Sequence, residues 1–199
     1  GFDPEGRDLV FVPEALNYDR VLEDRILIEA AASGVRRFRA PIPTALFFAL
    51  RFAWRRMTGR AMRFGRAAVG FGEPLSLREA RALGQRTDTA AIGAALMDRL
   101  VEAQPLLPVP AVAAAIQSAG APVDRSEVEA AVAARLADPD LARAGPADPA
   151  AFAEAGLAVL RMRRIVTETE GRIAIATGQE PLLSFYARAA LPGPDADAA

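Results

Sequence analysis

Apolar residues recur along this chain with two different spacings, and the spacing changes early. Residues 8–13, DLVFVP, form an almost unbroken apolar run, which predicts a short buried strand ended by Pro13. Over residues 17–32 the spacing becomes that of an amphipathic helix, whose apolar side carries Val21, Leu22, Ile26 and Leu27. We therefore expect a strand that gives way to a charged helix soon after Pro13.

The next segment combines positive charge with aromatic side chains. Between residues 30 and 72 there is no Asp or Glu, and nine arginines are present. Within it, residues 41–60, PIPTALFFALRFAWRRMTGR, predict a helix that begins after a proline. Residues 67–71 then predict a strand closed by the turn Gly72-Glu73-Pro74. Ser76 is the expected N-cap of a following helix, with Glu79 at the capping-box position.

From residue 88 onward, alanine-rich helical patterns alternate with prolines. They predict helices at about 88–104, 108–119, 125–137 and 148–163, with a Pro/Gly/Asp loop over 140–149. Residues 164–176 predict a β-hairpin around Glu170-Gly171, and EPLLSFYARAAL predicts a final helix. Residues 192–199 form an acidic segment that we expect to be a disordered tail.

The composition excludes several kinds of chemistry. The chain contains no Cys and no His, so thiolate nucleophiles, Ser-His nucleophiles and Cys or His metal ligands are all excluded. We expect no metal site, and no Gly-rich phosphate loop is present. Glu23 and Asp24 could suggest acid–base chemistry, but Arg20 and Arg25 beside them favour a charge-paired, solvated helix face.

The arginine- and aromatic-rich segment has three interpretations. It could be a solvated face with a buried apolar side, a phosphate or nucleic-acid site, or a helix lying on anionic lipid. Trp54 next to Arg55 and Arg56, with Arg51 one turn earlier, suits the headgroup boundary of a membrane. Near an anionic surface each arginine contributes on the order of 1 kcal/mol. We therefore predict membrane binding through Arg51, Trp54, Arg55 and Arg56.

Three patches, in order, resemble one protein family. GFDPEGRDLVFVPEALNYDRVLEDR is similar to the fourth conserved block of the membrane-associated bacterial glycerol-3-phosphate acyltransferases, with its flanks. FGRAAVGFGEPLSLREA resembles the closing strand of the same acyltransferase core. PLLSFYARAA resembles the family's C-terminal helix. Together the patches span nearly the whole chain.

The resemblance implies roles for two residues. In the family a buried strand delivers a proline beside the acyl-chain and substrate pocket, and a tyrosine follows it. Pro13 and Tyr18 match those positions and are the implied substrate-binding residues. Glu14 departs from the pattern, because the family usually has a small apolar residue there. Without the resemblance, Pro13 would simply end an edge strand and Tyr18 would be an ordinary aromatic.

The resemblance also shows what this chain lacks. The family's general base is a His, with an Asp five positions later, and this chain has no His. The family's phosphate-gripping arginines of the second block are missing as well. Residues 3–7, DPEGR, imitate the third block, Phe-Pro-Glu-Gly, but lie directly against the fourth-block strand, where the family has a linker. We therefore assign no catalytic residue to this chain.

The resulting prediction is an α/β chain: the C-terminal part of a glycerolipid acyltransferase sheet over residues 1–87, then a mainly helical domain with one hairpin over 88–191. The whole enzyme would transfer an acyl chain from acyl-CoA or acyl carrier protein to glycerol 3-phosphate. It would need no cofactor and would lie peripherally on the cytoplasmic face of the inner membrane. This chain alone should be an inactive fragment.

Two other function classes remain open. One is a non-catalytic module that binds anionic membranes through the arginine-rich segment. The other is a winged-helix nucleic-acid binder, since several helices followed by a hairpin is the order of a winged helix. Its candidate recognition helix, residues 125–136, carries Glu127 and Glu129 against Arg125 and Arg135. That balance is poor for binding phosphate, so we expect no nucleic-acid partner.

Overall fold

The computed structural model describes residues 6–21, 23–33, 54, 57 and 65–190. The chain divides into two compact units. One comprises residues 20–65, and the other comprises residues 1–19 together with residues 66–199. The predicted boundary at residues 87 and 88 falls inside the larger unit. The predicted acidic tail, residues 192–199, lies outside the described residues.

The larger unit begins with an antiparallel ribbon of four short strands: β1 Val10–Phe11, β2 Glu14–Tyr18, β3 Ala67–Phe71 and β4 Leu75–Ser76. β1 pairs with β4, with Val10 opposite Ser76. β2 pairs with β3, with Leu16 opposite Val69. Two residues, 12 and 13, face three, 72–74, between the two ladders, so a one-residue bulge interrupts the ribbon at Pro13.

The predicted helix at residues 17–32 is wrong over its first part. The chain stays extended from Glu14 to Tyr18, and helix α1 begins only at Asp24 and ends at Ser33. Pro13 therefore separates two strand segments and does not end the strand. The reason is long-range pairing: β2 follows a period of two, and hydrogen bonding to β3 outweighs the local helical spacing. Ile26 and Leu27 of α1 are exposed.

A short helix, α2, follows the ribbon as predicted. It spans Leu77–Ala82, and its N-cap is Ser76, whose side-chain oxygen accepts a hydrogen bond from the Glu79 backbone N–H. The Ser76 hydroxyl in turn donates to Asp8 Oδ2 at 2.6 Å. This hydrogen bond lowers the pKa of the Asp8 carboxyl. The start of the ribbon is thereby tied to the start of α2.

The remaining helices lie close to their predicted positions. They are α3 Thr89–Ala103, α4 Pro108–Ala119, α5 Arg125–Leu136, α6 Pro149–Met162 and α7 Glu180–Arg188. Asp88 and Asp148 cap α3 and α6 by accepting hydrogen bonds from Ala91 N and Ala151 N. The predicted hairpin is formed by β6 Val166–Thr169 and β7 Arg172–Ile175. Its turn residues, Glu170 and Gly171, both have positive φ.

The helices from α4 to α6 and three strands, β5 (Val123–Asp124), β6 and β7, have the element order of a winged helix. β5 lies between α4 and α5 and pairs with β7, so the sheet order is β5-β7-β6. This gives the chain order helix, strand, helix, helix, hairpin. α7 packs on α4 and completes the core. The core side chains are Leu107, Val112, Ile116, Val128, Phe152, Leu157, Leu160, Ile173, Leu183 and Tyr186.

Candidate functional site: the ribbon and its attachments

The open face of the ribbon is apolar apart from Glu14. Burial alternates along β2, so that Ala15 and Asn17 face inward while Leu16 and Tyr18 are 52% and 43% exposed. On β3 the exposed positions include Val69 and Phe71, which is 70% exposed. Val10 and Val12 are also exposed. Side chains of this kind on one face of a sheet are typical of a surface that contacts a partner, a membrane or an apolar ligand.

The inner face of the ribbon lies directly against the end of α3. A Cβ atom added at Gly70 would lie 1.8 Å from the Ala103 carbonyl oxygen, and one at Gly72 would lie 2.8 Å from the Arg99 carbonyl oxygen. Only glycine permits this approach of backbone to backbone. The Arg99 side chain also donates to the Glu73 and Pro74 carbonyls in the bulge. These contacts set the distance between the ribbon and α3.

Asn17 links the ribbon to the end of α7. Its Nδ2 group donates to the Pro105 carbonyl at 2.9 Å and to the Ala189 carbonyl at 3.1 Å. Gln104 Nε2 also donates to the Ala189 carbonyl. Asn17 is 4% exposed, so its amide is committed to these two acceptors. A polar side chain on the inner face of β2 therefore donates a hydrogen bond to a carbonyl group at the end of a helix that is distant in the sequence.

Asp19 links the ribbon to the beginning of α4. The N-cap residue of α4, Leu107, makes no side-chain cap. The missing oxygen comes from Asp19, whose Oδ1 accepts from the Val109 backbone N–H at 3.0 Å, 90 residues away. Asp19 Oδ2 lies 3.5 Å from Arg66 Nη1. Burial raises the pKa of the Asp19 carboxyl, although the Val109 hydrogen bond and Arg66 act in the opposite direction.

The two predicted substrate-binding residues lie on different sides of the ribbon. Pro13 is buried, and its carbonyl accepts a hydrogen bond from Gly72 N across the bulge. Tyr18 belongs to the exposed series with Leu16. The structure therefore does not bring Pro13 and Tyr18 together on one face. Glu14 is exposed at the start of β2, so its carboxylate meets solvent.

Of the predicted membrane-binding residues, Trp54 alone is among those described. It is helical and 64% exposed, and Met57, one turn further on, is helical and 85% exposed. Arg51, Arg55 and Arg56 lie outside the described residues. Trp54 and Met57 are therefore two exposed apolar side chains close together in the sequence.

The predicted recognition helix, residues 125–136, is α5, whereas the helix directly before the hairpin is α6. In a DNA-binding winged helix the recognition helix is the one before the hairpin. The exposed residues of α6 are Ala150, Ala151, Ala158 and Met162. Beside them, Arg125 and Arg161 form an ion-paired group with Glu154 and Glu168, and Arg125 also pairs with Glu129. Hydrogen bonding to Glu129 raises the pKa of the Arg125 guanidinium.

Sequence reasoning missed Asn17 and Asp19. Both lie within the segment assigned to a helix, where each would have been an ordinary surface residue. An Asn-x-Asp spacing on a strand places both side chains on the same face, and that is the signal that could have identified them. It becomes visible only when residues 14–18 are assigned to a strand.

Two comparisons with known proteins found no match for this chain. No protein-family model matches the sequence, and no curated protein is significantly similar to it. Among the described residues, no group of three or more His, Cys, Asp or Glu side chains could hold a metal ion. Within the same part of the chain, no helix is both long enough and apolar enough to cross a membrane.

Proposed function

We propose that this chain is the C-terminal portion of a glycerol-3-phosphate 1-O-acyltransferase. One observation carries the proposal: two separate patches that resemble this family are hydrogen-bonded neighbours. VFVPEALNY, residues 10–18, pairs with AAVGFGEPLS, residues 67–76, through the β1–β4 and β2–β3 ladders. If both patches belong to the sheet of one acyltransferase core, they should lie in the same ribbon, as they do here. The apolar open face supports it further, because a complete core would cover that face.

In the proposed reaction the first hydroxyl of glycerol 3-phosphate attacks the carbonyl carbon of an acyl thioester, and the carrier thiol leaves. The carrier is coenzyme A or acyl carrier protein. The base that takes the hydroxyl proton is a His of the upstream part of the enzyme, because this chain has none. This chain supplies a wall of the apolar pocket.

The ribbon geometry divides the roles of Pro13 and Tyr18. Tyr18 is on the open face with Leu16 and Val69, so it is the side chain of the two that would contact the acyl chain or substrate. Pro13 is buried at the bulge and would set the bend of the strand that carries the wall. Asn17 and Asp19 flank Tyr18 and hold its strand through their hydrogen bonds to helix ends.

The isolated chain should show no acyl transfer to glycerol 3-phosphate with either acyl-CoA or acyl carrier protein as donor. The codons immediately 5′ of Gly1 in the source genome should continue the reading frame. They should encode a His-x-x-x-x-Asp motif and a Phe-Pro-Glu-Gly block, and the protein extended to include them should be active. The measurement is transfer of labelled glycerol 3-phosphate into lipid by the two proteins. Turnover by the isolated chain would overturn the assignment of catalysis to upstream residues.

A second candidate function is a peripheral membrane-binding module. The observation that favours it is the exposed pair Trp54 and Met57 within the arginine-rich segment. This function would apply if a start codon with no acyltransferase frame precedes Gly1. In either case we propose contact with the cytoplasmic face of the inner membrane, since both functions use the same basic surface.

Trp54 provides a direct test of membrane contact, because it is the single Trp of the chain. Vesicles rich in anionic phospholipid should shift its fluorescence to shorter wavelength, and neutral vesicles should shift it less. Replacing Arg55 and Arg56 by Gln should weaken binding at least tenfold, at about 1 kcal/mol for each charge. Arg164→Gln, an exposed change on the winged helix, is the matched control. Binding that does not weaken with added salt would contradict an electrostatic mechanism.

Nucleic-acid binding is the least favoured function. The helix directly before the hairpin is α6, whose exposed residues are alanines and a methionine, and Arg125 and Arg161 beside it are paired with glutamates. Phosphate contact would require breaking those ion pairs, whereas a DNA-binding winged helix presents free basic side chains there. We therefore propose that the winged helix serves the packing of the ribbon.

A further inference from the structure

A cavity of about 250 Å³ opens between α4 and α5. Its lining is mostly small and apolar and includes Leu106, Ala111, Ala115 and Val132. Two polar side chains, Ser118 and Arg135, also line it. Ala190, just beyond α7, also forms part of the wall. This space lies within the larger unit and is separate from the ribbon face.

Arg135 and Ser118 are exposed, so the polar side chains of this cavity lie at its solvent side, where Arg135 supplies a positive charge. Within the described part of the chain its guanidinium makes no ion pair and no hydrogen bond, whereas Arg125 and Arg161 are each held by at least two glutamates. Glu102 lines a smaller neighbouring cavity together with Arg135, but the two do not form an ion pair. Arg143 donates to the Leu136 carbonyl and so adds positive charge at the same end of α5.

We propose that the cavity binds a medium-chain carboxylate, the anion of a fatty acid. The alkyl chain would occupy the alanine-lined space, and the carboxylate would accept hydrogen bonds from Arg135 and the Ser118 hydroxyl. At about 30 Å³ for each water-sized group, the cavity accommodates about eight carbon atoms. With a neutral chain, the exposed Arg135 would stay hydrated and would add nothing to the affinity. The site does not depend on the acyltransferase proposal.

Binding of a ligand in this cavity would affect the hydrogen bonds that hold the ribbon. Leu106 and Ala190 in the wall directly follow Pro105 and Ala189, whose carbonyls accept the two hydrogen bonds from Asn17. A ligand that moves the wall therefore acts on the acceptors that hold β2. The site is a binding site for a carboxylate ligand with a direct hydrogen-bonded connection to the strand that carries Tyr18.

The test is an NMR titration of the chain with octanoate, below its micelle threshold, and in parallel with octanol. Octanoate should shift the backbone signals of Leu106, Ala115, Val132 and Ala190, and octanol should bind at least tenfold more weakly. From butanoate to octanoate, affinity should rise up to about fourfold with each added methylene and level off beyond about eight carbons.

Three variants make the test specific. Arg135→Gln should weaken octanoate binding at least tenfold while leaving octanol binding unchanged, because it removes the charge and keeps the apolar space. Arg7→Gln, an exposed arginine on the ribbon side of the larger unit, should change neither. Ala115→Leu should abolish binding of both compounds by filling the cavity. Circular dichroism of each variant should match that of the parent.

Three results would overturn the proposal. The first is equal affinity for octanoate and octanol, and the second is octanoate binding that survives Arg135→Gln. The third is a titration whose shifts are absent or fall on the open ribbon face instead of the cavity wall. Each of these results is independent of whether the extended protein transfers acyl groups.

Discussion

Replacing Gly70 by Ala is expected to lower the free energy of unfolding by about 3 kcal/mol. The new Cβ would lie 1.8 Å from the Ala103 carbonyl oxygen, and backbone cannot yield as a flexible side chain can. Either the ribbon or the end of α3 must move. Urea unfolding measures the loss, and amide hydrogen exchange should show that β2 and β3 lose the most protection.

Gly93→Ala is the matched control for Gly70→Ala. Gly93 lies inside α3, and no atom outside its chain neighbours and the backbone of its own helix lies within 4 Å of its added Cβ position. There, alanine should raise the free energy of unfolding by about 0.5–1 kcal/mol, because glycine is a poor helix former. The same Gly-to-Ala substitution should thus lower the free energy of unfolding at residue 70 and raise it at residue 93. Equal effects at both positions would contradict the close contact of ribbon and helix.

Asp19→Ala is expected to lower the free energy of unfolding by about 2 kcal/mol. The Val109 N–H at the start of α4 would lose its buried acceptor, and Leu107 offers no replacement. Asp19→Asn keeps an acceptor oxygen and should cost less, because the Arg66 partner is half exposed and contributes little. The comparison of Ala with Asn separates the hydrogen bond from the charge.

Asp19 also gives a pH dependence whose sign is fixed. Its pKa is raised in the folded protein, so the folded state holds a proton more readily than the unfolded state. The contribution of Asp19 to the free energy of unfolding is therefore fully present below its ordinary pKa of 3.8. It is lost as the pH rises through the pKa that Asp19 has in the folded protein. The free energy of unfolding of the parent, minus that of Asp19→Asn, should fall as the pH rises over this window. A difference that stays constant or rises with pH would contradict the raised pKa.

The consequence of these attachments is that β2 is held at its C-terminal end, through side chains on its inner face. Asn17 holds the end of α7, and Asp19 holds the beginning of α4. Since Tyr18 lies between them on the opposite face, the winged helix fixes the position of the apolar face of the ribbon. This gives the helical part of the chain a structural role in the proposed pocket without requiring it to contact substrate.

Local sequence signals were sufficient to predict the secondary structure from residue 88 onward. The aspartates at 88 and 148, the proline at the start of α4 and the Glu170-Gly171 turn act within a few residues. The four predicted helices between residues 88 and 163 and the hairpin were confirmed to within one or two residues. The final helix ends at Arg188, three residues before its predicted end. The strand Ala67–Phe71 was also confirmed, because Gly72 and Pro74 mark its end. The ribbon partner of that strand could not be found in the same way.

The sequence by itself determined the local elements, the absence of a histidine base and the concentration of arginine in one segment. Only the tertiary structure decided that residues 14–18 are a strand, that Asp19 caps a helix 90 residues away, and that Arg135 borders a cavity. The physical reason is the range of the forces involved. Capping, turn and propensity effects act between near neighbours in the chain. Strand pairing and burial depend on partners that are brought together only when the chain folds.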